Sequence, residues 1–268
     1  MKKKFLIIGI LAIIITGIWG IKTLYADLTP NIKIDPTSSY KLRIATPNPH
    51  NWSNGLVGYW TFDGQDIQGL YATSTDKSGN NNHGAIKNGA FGQAGVIGQA
   101  LSFDGVDDYV DCGNKPGLNI TDAITVEAWM YWNSLGSDSV GIIGKGETPA
   151  QTGYVLGKLS SETKLRFYPR GGFGSANYVK TTSDIPTFQW VHYVGTFDGT
   201  DIKIYVNGIL ENTANSPGSV SSNTQPLVLG RWYGNHAAYY LNGLIDEVRV
   251  YNRALSAAEI AAIYNATK

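Results

Sequence analysis

LNGLIDEVRVYNRALSAAEIAAIY, residues 241–264, carries a turn, a strand and a capped helix in one continuous stretch. From Leu244 the alternation puts Asp246, Val248 and Val250 on one face of a strand. Glu247, Arg249 and Tyr251 fall on the other. The valines predict the core side, so Asp246 starts buried. A buried carboxylate needs a partner, since an unpaired charge there is costly, and a cation is one such partner. Ser256 is a good N-cap, Glu259 closes a capping box three residues on, and Leu255 can staple to Ile260. A short helix is therefore expected to begin near Ala257.

Working towards the N-terminus, strands and turns keep alternating. Trp60 and Phe62 share parity, and Ile124, Val126, Ala128, Met130 and Trp132 form one apolar face. Asp198-Gly199 lies between Tyr193–Phe197 and Ile202–Val206, a hairpin signal, and Asn207-Gly208 turns the chain again. Leu227 to Gly230 is a short run suited to a core strand. Many short strands separated by regular turns, with 32 glycines, predict a two-sheet sandwich. No fixed repeat period is visible, which argues against a propeller or solenoid.

The closing stretch and four others resemble one family in the expected order. They are GLVGYWTFDG at 55–64, DKSGNNNHG at 76–84, GQALSFDGVDDYVDCG at 98–113 and WVHYVGTFDGTDIKIYVNG at 190–208. Together they resemble the laminin-G-like (LamG-like) jelly-roll domain of the concanavalin A-like lectin/glucanase superfamily, over residues 55–268. The resemblance implies an all-β fold: a two-sheet antiparallel jelly-roll sandwich with one short C-terminal helix. It also implies a structural calcium that ties the first and last strands together, with Asp63 and Asp246 as ligands. Backbone oxygens of the Gly79–Gly84 loop would complete the shell. Asp76 and Asn81 are further ligand candidates, because segment 76–84 is dense in the oxygen donors calcium prefers. The same residues also suit plain turn chemistry, with Asp76 as an Asx-turn acceptor and Asp246 accepting backbone amides.

A saccharide surface is the second candidate site, since sugars stack on aromatic rings. GRWYGNHAAYYL at 230–241 brings together Arg231, Trp232, Tyr233, His236, Tyr239 and Tyr240. Phe173, in the glycine-rich stretch 170–174, is another platform candidate. Trp232 follows Gly230-Arg231 at a strand end and is expected to be exposed, whereas Trp60, Trp132 and Trp190 are expected in the core. The competing reading packs the rings between or along the sheets. Catalysis is not expected. Asp246 and Glu247 are adjacent and point to opposite faces, so they cannot act as the carboxyl pair of a glycosidase. His192 shares parity with Val194 and reads as a core histidine, and no nucleophile, metalloprotease or nucleotide fingerprint occurs.

The N-terminus departs from this composition. Lys2, Lys3 and Lys4 precede an uncharged apolar run from Phe5 to Ile21, the pattern of an export signal or an uncleaved membrane anchor. Residues 1–26 are read as that segment, 27–54 as a proline-containing stalk, and 55–268 as the domain. With 21 basic and 21 acidic residues, no nucleic-acid footprint is present. Cys112 is the sole cysteine and reads as a small buried apolar residue. The chain is thus expected to be an exported, non-catalytic module at the cell surface or in the periplasm. Its expected partner is a polysaccharide or a glycosylated surface protein. The alternatives are an adhesive protein–protein module and, third, a polysaccharide hydrolase or lyase.

Overall fold

The computed structural model describes residues 52–68, 72–88, 90–136, 138–147, 152–169, 177–221, 223–232 and 239–268. The export segment and nearly all of the expected stalk lie outside them. Among the described residues no helix is long and apolar enough to cross a membrane.

The described strands form two antiparallel sheets, as the alternation predicts. The eight-stranded sheet runs in the order β15 (Ile209–Asn215), β14 (Asp201–Val206), β13 (Trp190–Phe197), β8 (Ile124–Ser134), β17 (Asn242–Tyr251), β6 (Gln99–Asp104) and β5 (Phe91–Ala94). Its remaining strand, β1 (Leu56–Trp60), pairs with the second half of β17, and β6 pairs with the first half. The nine-stranded sheet begins β12 (Val179–Lys180), β11 (Leu165–Tyr168), β10 (Thr152–Lys158), β9 (Val140–Glu147) and β16 (Leu227–Leu229). It continues with β7 (Tyr109–Gly113), β4 (Gly84–Lys87), β3 (Thr73–Ser74) and β2 (Ile67–Gln68).

The core lies between the sheets. Alternate residues of β8, from Ile124 to Trp132, meet Leu156, Leu165, Phe167, Leu227 and Leu229 of the other sheet. Trp60 and Trp132 are buried as expected, and so is Cys112, whose thiol burial pushes up. Asp198-Gly199 and Asn207-Gly208 make the expected turns. The Asp198 carboxylate accepts the amides of Thr200 and Asp201, at 3.0 and 2.8 Å. Helix α1 (Ala257–Thr267) carries the full capping box, and Leu255 packs with Ile260.

One parity expectation fails. Val248 and Val250 are in the core with Ile245, but Asp246 is not on their face. The register shifts between Asp246 and Arg249, and Glu247 sits at φ +53°, a bulge that inserts one extra residue. Asp246 therefore pairs with Trp129, on the side of the sheet away from the core. It is nevertheless out of water, because the turn between β5 and β6 folds over it.

Candidate functional site

On the nine-stranded sheet, strand alternation sends one residue in two away from the core. Tyr168 of β11, Val155 of β10 and Val228 of β16 meet there with Trp232, and Tyr109, Tyr178 and Tyr239 pack around them. Trp232 is only 2% exposed, so the expected exposed ring is a covered one. It is covered because residues 230–232 fold back over the sheet: a Cβ on Gly141 would lie 2.4 Å from the Arg231 carbonyl oxygen. The bend begins at Gly230, with φ +81°, where a Cβ would strike the Phe103 ring at 2.3 Å. Leu241 N–H donates to the Gly230 carbonyl at 2.8 Å, and Trp232 N–H to that of Tyr239 at 2.9 Å.

Arg231 stays at the margin of this cover. Its guanidinium lies 3.9 Å from the Tyr109 ring centroid, and Tyr109 is 6.4 Å from Tyr240. Arg231 forms no ion pair among the described residues, and its buried Nε has no hydrogen-bond partner. Tyr109, Tyr239 and Tyr240 are half-buried, each offering part of a ring to solvent. A second stack lies on β11, where Arg166 sits 4.3 Å over Tyr178 and is held by Glu162. Its charge is already matched, so the guanidinium of Arg231 is the freer of the pair. Arg231 and Trp232 thus come together as the sequence suggested, while Tyr233, His236 and Phe173 lie outside the described residues. Tyr109 was missed by the sequence reading. Its only signal was parity with Asp111 on a strand whose alternate residues, Val110 and Cys112, are core.

The acidic candidates divide into separate places. Asp63 and Asp246 both grip the turn between β5 and β6. Asp246 Oδ2 accepts the amides of Val96 and Ile97 at 2.9 and 3.1 Å, and Asp63 Oδ1 accepts that of Gln99 at 2.8 Å. Asp246 Oδ1 is buried without a partner. Burial pushes its carboxyl up to about 7, with the Glu247 charge adding to the rise. Asp76 is instead the hub of its own loop: it accepts from the amides of Tyr59, Ser78 and Asn82 and from the Ser78 hydroxyl. Asn81 holds the turn of that loop at φ +57°. A further trio lies in the turn before β7, where carboxylate oxygens of Asp104, Asp107 and Asp108 come within 4.8 Å of one another and could hold a cation. Burial first, then the neighbouring acids, push Asp108 up.

Beneath α1 lies a buried network of acids around Arg249. Glu127 accepts from Arg249 at 3.1 Å, Arg249 also binds Glu247, and Tyr59 donates to Glu247 at 2.8 Å. His192 Nε2 is 3.6 Å from Glu127. Glu127 and His192 are fully buried, but His192 lies on the helix side of β13, stacked on Tyr264, rather than between the sheets with Val191 and Tyr193. Glu127 and Glu247 thus share Arg249 inside the fold.

No curated protein matches the chain in sequence. Among solved structures, domain 4 of AbnA, an extracellular GH43 arabinanase from Geobacillus stearothermophilus in complex with arabinotriose, is similar. It has a TM-score of 0.61 and 21% identity, covering 78% of this chain and 98% of that one. The binding domain of Paraclostridial Mosquitocidal Protein 1 gives a TM-score of 0.63 at 17% identity, covering 80% of this chain and 52% of that one. Trypanosoma rangeli sialidase, in complex with 2,3-difluoro-KDN, gives 0.60 at 17% identity, with 88% of this chain and 36% of that one covered. At these identities the likeness is one of fold. A family profile matches residues 104–261, more than half of the chain, and this protein belongs to the concanavalin A-like lectin/glucanases superfamily.

Proposed function

We propose that the protein is a non-catalytic saccharide-recognition module, with the patch of Arg231, Tyr109, Tyr239 and Tyr240 as its contact surface. The observation that carries this is the Arg231 guanidinium, without an ion pair among the described residues and stacked on Tyr109 beside half-buried rings. Aromatic faces take the apolar face of a sugar, and the guanidinium supplies fixed donors to its oxygens. The similar arabinanase domain, solved with arabinotriose, favours the same ligand class. The non-catalytic reading rests on Glu127 and Glu247, which are spent on Arg249 inside the fold.

A structural calcium belongs to this reading. Asp63 and Asp246 would hold it, since the orphaned Oδ1 of Asp246 is an oxygen that a cation satisfies. The ion would tie the end of β1 and the middle of β17 to the turn before β6 and do no chemistry on a ligand. The Lys2–Lys4 and Phe5–Ile21 pattern adds export to the outside of the cell. A glycan array probed with wild type and Arg231→Ala, with calcium and with chelator, tests the whole reading. Binding that falls at least tenfold in the variant supports it. No glycan bound in either condition, or equal binding by both proteins, rejects it.

A further inference from the structure

The eight-stranded sheet turns a different set of rings outward, on the opposite side of the sandwich from Arg231. In β8 the residues between core-facing Ala128, Met130 and Trp132 are Trp129 and Tyr131. In β13 Trp190 flanks core-facing Val191. Tyr131 pairs directly with Trp190, with ring centroids 5.6 Å apart and planes at 59°. Helix α1 reaches as far as Trp129, whose indole N–H donates to the Thr267 hydroxyl at 2.9 Å. Trp129 is covered, whereas Tyr131 and Trp190 are only half-buried. The sequence reading put Trp190 in the core; its strand parity, opposite to Val191, places it outside.

Phe188 lies two residues before Trp190, next to the same end of β8. It is 68% exposed, and its backbone sits at φ +58°, fixed by donation to the Trp132 carbonyl at 2.8 Å. A bulky residue in the left-handed region is a steric outlier, a strain that glycine would not incur. A ring this exposed recovers little packing to offset that strain. Strain without a folding return is a signature of a functional position.

The surroundings set the ligand chemistry. Tyr131 has Leu244 as its other cross-strand neighbour. Asn133, Ser134, Gln189 and Asn242 continue the strands, and none carries a charge. The nearest charges on this face are Asp246, paired with Trp129 but buried under the turn between β5 and β6, Asp104, paired with Asn242, and Lys268 at the end of α1, whose ammonium is 5.2 Å from the Tyr264 ring. Ring faces bordered by neutral amides and hydroxyls match the apolar face and hydroxyls of an uncharged sugar. The area points the same way. One fully buried ring covers ~150–250 Å², so these part-exposed rings offer on the order of 250 Å². A stable protein interface needs about 800 Å² per partner.

We propose that Tyr131, Trp190 and Phe188 form a second saccharide platform, for an uncharged polysaccharide, on the face opposite the Arg231 patch. The test is affinity electrophoresis of the full-length chain through gels containing arabinan, mannan or mixed-linkage β-glucan. Wild type, Trp190→Ala, Phe188→Gly and Arg231→Ala are compared, with melting temperatures taken in parallel. At least one polymer should retard wild type, and Trp190→Ala should weaken that retardation tenfold or more. Phe188→Gly should weaken it too while melting at the same or a higher temperature, so lost folding is not the cause. The fall caused by Trp190→Ala should be as large in the Arg231→Ala background as in wild type. The proposal is overturned if no polymer retards wild type, if Phe188→Gly and Trp190→Ala run as wild type, or if Trp190→Ala has no effect in the Arg231→Ala background. It is equally overturned if sedimentation shows self-association that Trp190→Ala removes, because the face is then a protein contact.

Discussion

Arg249 donates to Glu127 from the neighbouring strand at 3.1 Å, and both side chains lie inside the fold beneath α1. The guanidinium also serves Glu247 and lies 4.2 Å over the Tyr59 ring, so β1, β8 and β17 share one cation. Burial alone would raise the Glu127 carboxyl, but His192 and Arg249 hold it below the usual carboxylate range.

Removing that cation leaves buried acids without compensation. Arg249→Met is expected to lose ~3–5 kcal/mol of stability, the usual cost of breaking a buried pair from one side. Urea unfolding measures it, and a loss below about 1 kcal/mol would show that the network relaxes instead.

Asp246 gives a pH signature. Its native carboxyl titrates at about 7, well above the unfolded value. Between these values the native state holds a proton that the unfolded chain has released. Stability contributed by this group is therefore full below about pH 4 and falls as pH rises to 7, where it levels off. In chelator, Asp246→Asn should flatten this decline in melting temperature. Calcium added at pH 8 should raise the melting temperature of wild type by mass action, increasingly with concentration. A slope identical in the two proteins would remove Asp246 as its source.

The helix cap titrates with the opposite sign. Arg253 and the Ser256 cap hold the Glu259 carboxyl down at about 2. Its stabilisation is present above the unfolded value near 4.3 and is lost as pH falls towards 2. Ser256→Ala should cost about 1 kcal/mol at neutral pH, and Glu259→Gln should remove part of the acid-limb slope. Denaturant titrations at pH 7 and pH 3 read both effects.

The sandwich is tight at Gly195 of β13, where a Cβ would lie 2.3 Å from the Phe167 ring across the core. Gly195→Ala should destabilise by ~1–3 kcal/mol through overpacking. Phe167→Leu should recover part of that loss in the double variant. Simple additivity of the two single effects would show that the residues do not meet.

The sequence made local features readable where one residue type admits one geometry. The Ser256–Glu259 box, the Asp-Gly and Asn-Gly turns and the apolar alternation of β8 are of this kind. It misled where a local event changed the count. The bulge at Glu247 moved Asp246 off the valine face, and nothing in the residue types marks a non-glycine at positive φ. Exposure of rings was the least legible property. Trp232 is covered because residues 230–232 return over Gly141, which is far away in sequence, whereas the outward place of Trp190 was already written in its parity opposite Val191. The pairing of Arg231 with Tyr109 is likewise a product of topology, which brings β7 next to β16.

The position of β17 bears on how the chain reaches this state. The strand lies within the eight-stranded sheet, between β8 on one side and β6 and β1 on the other. A chain delivered N-terminus first, from a ribosome or through a pore, has both flanks of that sheet in hand but no strand to join them. Closure waits for contacts of very long sequence separation, which are slow to form. Until residues 242–251 emerge, the open slot is an unpaired template, where a stray strand could add and seed aggregation. Truncation just before this strand should therefore yield a sticky, unclosed half-product rather than a smaller stable domain.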